Sequence, residues 1–71
     1  METLDLHGIQ HCDVERIIEN FIVLRDMPVR IVTGNSPAMK FIVQSVIEKY
    51  GLQSMVENDW NLGALILTEK S

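Results

Sequence analysis

Twice along this chain a short strand-forming run closes on glycine and gives way to a helix-forming run. The first closes as Leu4-Asp5-Leu6-His7-Gly8, the second as Pro28-Val29-Arg30-Ile31-Val32-Thr33-Gly34. This alternation constrains the fold more than any other feature. Strands separated by helices pair in parallel through right-handed crossovers. The β-branched run Val29, Ile31, Val32 and Thr33 is a strand signal that Gly34 ends. In strands, alternate residues share a face. Val29, Ile31 and Thr33 therefore face one way, and Arg30 and Val32 the other. Likewise Leu4 and Leu6 face opposite to Thr3, Asp5 and His7.

The intervening runs have helical periodicity. Val14, Ile17, Ile18, Phe21 and Leu24 form one apolar face, with Glu15, Arg16, Glu19 and Asn20 on the other. That helix must stop before Pro28, with Arg25-Asp26-Met27 as its exit. The second helix has clearer punctuation. Ser36 suits the N-cap, Pro37 the first helical position and Gly51 the residue beyond the end. Met39, Ile42, Val43, Val46 and Tyr50 form its stripe, with Ile47 at the margin. Lys40, Gln44, Glu48 and Lys49 look outward.

Two further strands are predicted, a weaker one over Leu52–Asn58 and a stronger one over Gly63–Glu69. The turn formers of Asn58-Asp59-Trp60-Asn61-Leu62-Gly63 join them as a hairpin. The order is β-α-β-α-β-β. Strands one to three are expected to pair in parallel, and the hairpin adds the fourth antiparallel. The strands are not apolar on both faces, as a sheet covered on both sides would demand. The expected fold is an α+β, α/β-type two-layer sandwich: a mixed four-stranded sheet with both helices on one face and the other face open.

With 71 residues, the chain reads as one domain spanning 1–71. Its longest apolar runs are four residues or fewer, against the roughly 20 that cross a bilayer, so no membrane is expected. The opening residues lack the basic-then-apolar pattern of a signal peptide. Cys12 is the single cysteine, which rules out an intrachain disulfide and suits a reducing cytoplasm. A nucleophilic role for Cys12 would need a base. His11 is adjacent, but helical neighbours point about 100° apart. The net charge of −4 argues against a protein that coats nucleic acid electrostatically. It leaves room for a local phosphate site.

Such a site follows from the strand order. In parallel βαβ units the helix starts lie beside the carboxyl ends of the strands. Two sets of backbone amides and two positive dipole ends then open on one edge, where open α/β sheets bind ligands. An anion, most naturally a phosphate, is the guest. His7 and Asp5 stand at its margin and Thr33 opposite. Gly8, Gly34, Asn35 and Ser36 supply the adjoining loops. Arg30 on the open face could approach a phosphate or pair with Asp5. His7 can move a proton near neutral pH, and Asp5 could orient it or hold its charged form. Together they could act on a phosphodiester. They could hold a divalent metal, but one carboxylate and one imidazole make a poor complete site, and no metal ligand or cofactor is assigned.

Each of these residues also has a plainer reading. An Asp-X-His sequence is common and often makes ordinary hydrogen bonds. Thr33 can simply continue the strand, and His11 can face solvent on the first helical turn. Trp60 could be a base-stacking platform or a capping contact on the sheet edge.

The motif Leu4-Asp5-Leu6-His7-Gly8 resembles the opening signature of the Smr family, the small MutS-related domain. The family's second signature, threonine or histidine, then glycine, any residue, glycine, corresponds to Thr33-Gly34-Asn35-Ser36. The tail Leu62–Glu69 is similar to the family's glycine-alanine strand. The likeness covers nearly the whole chain in order. The family fold is a β-α-β-α-β-β sandwich like the carboxyl domain of a translation initiation factor. The resemblance implies nucleic-acid binding and, as in several members, DNA nicking or RNA cleavage. It makes Asp5 and His7 the functional pair and Thr33 and Gly34 the second motif. Ser36 stands where the family prefers glycine, and Asn35 where a basic residue is frequent. The expected function is a nucleic-acid-binding domain with endonuclease activity on RNA or DNA. The alternative is a non-catalytic module that keeps the fold and binds nucleic acid or protein. Because no second domain fits in the chain, a protein partner or self-association would supply substrate affinity.

Overall fold

In the computed structural model, which describes residues 1–58 and 61–70, the element order is β1 (Glu2–Asp5), α1 (His11–Val23), β2 (Val29–Val32), α2 (Pro37–Lys49), β3 (Leu52–Asn58) and β4 (Asn61–Glu69). The four strands form one mixed sheet in the order β1-β2-β4-β3. β1 and β2 are parallel, with Leu4 level with Ile31 and Asp5 with Val32. β4 is antiparallel to β2, and β3 is antiparallel to β4. The two-layer sandwich expected from the sequence is the fold observed.

One expectation about pairing is corrected. β1, β2 and β3 do run in the same direction, but β3 does not pair with β2, because β4 lies between them. Composition explains the exchange. Ala64, Leu65, Ile66 and Leu67 make β4 apolar on both faces, which suits the central position with a neighbour on each side. β3 carries Gln53, Ser54 and exposed Met55 and Val56, which an edge strand tolerates.

The helices cover a single face of the sheet. Val29, Ile31, Leu65 and Leu67 are buried against Val14, Ile18, Phe21 and Ile22 of α1 and Met39, Val43, Val46 and Ile47 of α2. Fully burying each aliphatic side chain stabilises by about 1.5–3 kcal/mol relative to exposure. On the opposite face, Arg30, Val32, Ile66 and Met55 are only half-buried or exposed. α1 ends one residue earlier than its apolar stripe suggested. Leu24 is its C-cap and is 77% exposed, while Ile22 takes the core position. Tyr50 is likewise the C-cap of α2 and is exposed, with Ile47 buried in its stead. Both corrections have one cause: a helix stop tilts the last residue of a stripe off the packed face.

The far ends of the helices are tied together. Lys49 Nζ donates to Glu19 Oε2 at 2.8 Å, and that hydrogen bond holds the Glu19 carboxyl below its ordinary range. Beyond α1, Arg25 donates to Glu2 and stacks on the Phe21 ring at 4.2 Å. The Met27–Pro28 peptide is cis. Among the described residues no helix is long and apolar enough to cross a membrane.

Candidate nucleic-acid interface

Because β1 and β2 are adjacent and parallel, their carboxyl ends leave the sheet side by side. The ladder continues one step past β1, where Leu6 N–H donates to Val32 C=O at 2.9 Å. Beyond that bond both chains leave the ladder, one through the turn at His7-Gly8 and the other through Thr33-Gly34. Each loop then reaches its helix by the same path. α1 begins three residues after Gly8 and α2 three residues after Gly34.

The first loop is a tight turn. Ile9 N–H donates to Leu6 C=O at 3.0 Å, and Gly8 has φ of +80°, the value that a type II turn requires of its third residue. A β-carbon at Gly8 would meet open space, so the requirement is conformational. The strand therefore stops at Asp5, and His7 does not continue its alternation as the sequence pattern suggested. Leu6 is fully buried, and the turn swings His7 out to an exposed position. Asp5 Oδ1 accepts a 2.8 Å hydrogen bond from the His7 backbone N–H. This is an Asx turn. The carboxylate thus fixes the backbone on which the imidazole is mounted.

The second loop is braced from behind by β4. Thr33 N–H and Gly34 N–H both donate to Gly63 C=O, at 2.6 and 3.1 Å. The Thr33 hydroxyl lies 3.1 Å from the same oxygen and 2.9 Å from Gly34 C=O, and donates there. Thr33 is 4% exposed, so its side chain organises the corner from inside. Gly34 turns the chain with φ of +68° and leads to exposed Asn35 and half-buried Ser36.

The two helix starts differ. Ser36 Oγ accepts from Met39 N–H at 3.2 Å, and Pro37 has no N–H to offer. α1 instead starts from Gln10, whose side chain makes no capping hydrogen bond. At that start Asp13 N–H donates to Gln10 C=O at 2.9 Å and the Asp13 carboxylate lies in the first turn, whereas the first turn of α2 carries no acid. The first two amides, His11 and Cys12, are what α1 can offer an anion. Sequence reading passed over Gln10. The signal available was the lack of Ser, Thr, Asp or Asn before the first helical residue.

Of the other candidates, Arg30 lies on the open face, level with Thr3 of β1 and Ile66 of β4, one step diagonal from Asp5. His11 and Cys12 are both exposed on the first turn of α1. Cys12 Sγ lies 3.7 Å from Gln10 Oε1. Trp60 lies outside the described residues. Among the described residues no group of three or more His, Cys, Asp or Glu could hold a metal ion. The rim thus offers an exposed imidazole, two glycine turns and two helix starts on one edge of the sheet.

Comparison with protein-family models, with curated proteins and with solved structures returns no match to this chain.

Proposed function

We propose that this chain is a small Smr-like nucleic-acid-binding domain that cleaves or nicks phosphodiester bonds of RNA or DNA at the rim formed by His7 and the loop around Gly34. One observation carries this reading: His7 is exposed beside a helix start without a side-chain cap. A phosphate resting on the first amides of α1 would bring an ester oxygen toward the imidazole. His7 would then take a proton from the attacking hydroxyl or give one to the leaving oxygen. Asp5 acts as a positioning residue through the His7 backbone. Gly8, Gly34, Asn35 and Ser36 line the path of the strand. The Leu4–Gly8 motif and the order of elements support the Smr resemblance. A lone exposed cysteine fits a reducing cytoplasmic setting. A partner protein or a second copy of the chain would add substrate affinity.

A second reading is a binding module without chemistry. It is favoured by Asp5 and Thr33, whose polar atoms already serve hydrogen bonds within the protein.

Wild type and His7→Ala should be incubated with labelled single-stranded RNA, duplex DNA and branched DNA, with and without divalent metal. The nuclease reading expects cleavage of at least one substrate, reduced about 100-fold or more in the variant. Equal cleavage by both proteins, or none by either, leaves the module reading.

A further inference from the structure

The ten carboxylates of this acidic chain are unevenly placed. Residues 27–47 contain none of them, yet contain Arg30 and Lys40, two of the six cations. The acid-free stretch covers β2, the second loop and nearly all of α2. Over the first turns of α2 the outward surface is made by Pro37, Ala38, Phe41, Gln44 and Ser45, all exposed and none charged; charge returns at exposed Glu48 and Lys49 in the last turn. Phe41 is 74% exposed. It points away from the side of α2 that buries Met39, Val43, Val46 and Ile47. Lys40, half-buried, is its neighbour. Phe41 also lies four residues, about 6 Å, along the axis from Pro37 at the rim.

We infer that Phe41 is a stacking platform for one unpaired nucleobase of a single strand, whose phosphates pass Lys40 and the loop at Gly34–Ser36. This rests on the nucleic-acid reading of the rim and adds a base contact to it. Charge favours a polyanion at the rim end of α2: β2, the second loop and α2 as far as Ile47 contribute no carboxylate of their own, so this stretch repels a phosphate backbone least. Size selects a single ring over a protein surface. Phe41 is one large apolar side chain among small and polar ones, whereas a stable protein interface needs about 800 Å² from each partner. A planar base covers one phenyl ring and tolerates any sequence, since every base has a π-face. Bases in a duplex are already stacked, so the substrate is single-stranded.

The test compares binding by fluorescence anisotropy. The probes are labelled oligo-dT and oligo-rU of about a dozen nucleotides, and an abasic oligomer with the same number of phosphates. Wild type is expected to bind one or both base-containing strands about ten-fold or more tightly than the abasic one. The two base-containing arms separate DNA from RNA as the source of the base. Phe41→Ala and Phe41→Leu should erase that margin, and Phe41→Trp should keep it, all with unchanged melting temperatures because the side chain is exposed. Equal binding of all three probes by wild type, no binding of any, or a margin that survives in Phe41→Ala overturns the inference. Failure of the nuclease reading looks different: cleavage is absent or indifferent to His7→Ala, while the stacking margin and its loss in Phe41→Ala remain.

Discussion

Gly63 has no room for a β-carbon. An added Cβ would lie 2.9 Å from Gly34 Cα and 3.0 Å from Gly34 C and O, closer than van der Waals contact allows. The obstacle is backbone, so no rotamer change relieves it. That backbone is also held in place, because Gly63 C=O accepts from both Thr33 and Gly34. Gly63→Ala should therefore force β4 and the second loop apart. We expect a loss of about 1–3 kcal/mol, a fall in melting temperature of roughly 4–8 °C for each kcal/mol. Gly51→Ala is the control. Unlike Gly63, it has a positive φ of 67°, but an added Cβ meets nothing within 4 Å, so its cost is backbone strain alone, about 1–2 kcal/mol. Thermal unfolding measures both. A Gly63→Ala protein as stable as wild type would show that the close approach is not part of the fold. The positive φ at Gly8 and Gly34 could be anticipated, since glycine after a strand marks a turn wherever it stands. The contact between Gly34 and Gly63 could not. It joins residues 29 positions apart by number, and no local pattern encodes a distance between two backbones.

At the scale of elements, periodicity and punctuation gave the two helices, and β-branched runs gave the strands. What they misplaced was the neighbour of β3, expected beside β2 and found beside β4 alone. Strand signals are local, whereas the place of β4 between β2 and β3 depends on the relative burial of whole strands. The side-by-side exit of β1 and β2 needed only their order. The Asx turn that takes His7 out of the strand register needed side-chain geometry that alternation ignores. The helix starts also bear on function. Ser36 caps α2, but Gln10 does not cap α1, and natural chains keep such local faults where function uses them. Gln10→Asp should supply the missing acceptor and a favourable charge at the dipole's positive end. The expected gain is about 1 kcal/mol, seen as a higher denaturant midpoint with unchanged slope. If the α1 start receives a phosphate, the same substitution should weaken oligonucleotide binding several-fold. A more stable variant that binds as well as wild type would remove α1 from the anion site, leaving the Gly34 loop alone.

For the molecule as a whole, net charge and local charge make opposing demands. A chain at −4 repels a polyanion at long range, and salt relieves that repulsion. The contacts proposed for Lys40 and the rim would be weakened by salt, through release of counterions. The two effects have different reach. Repulsion spread over the surface is screened beyond about 8–10 Å at physiological salt, so near that ionic strength the close contacts dominate. With about two phosphates engaged, the logarithm of the single-strand association constant should fall against the logarithm of salt with a slope of about −1.4. Lys40→Gln should reduce the slope by about 0.7, the share of one phosphate. Below roughly 0.05 M salt the line should flatten or turn over as the repulsion emerges, behaviour that a basic nucleic-acid-binding domain would not display. An anisotropy titration from low to high salt reads all three features. A slope near zero would mean that phosphates are not what the rim holds. A slope steeper than about −4 would demand a cationic surface larger than six basic side chains, scattered among ten acids, can assemble.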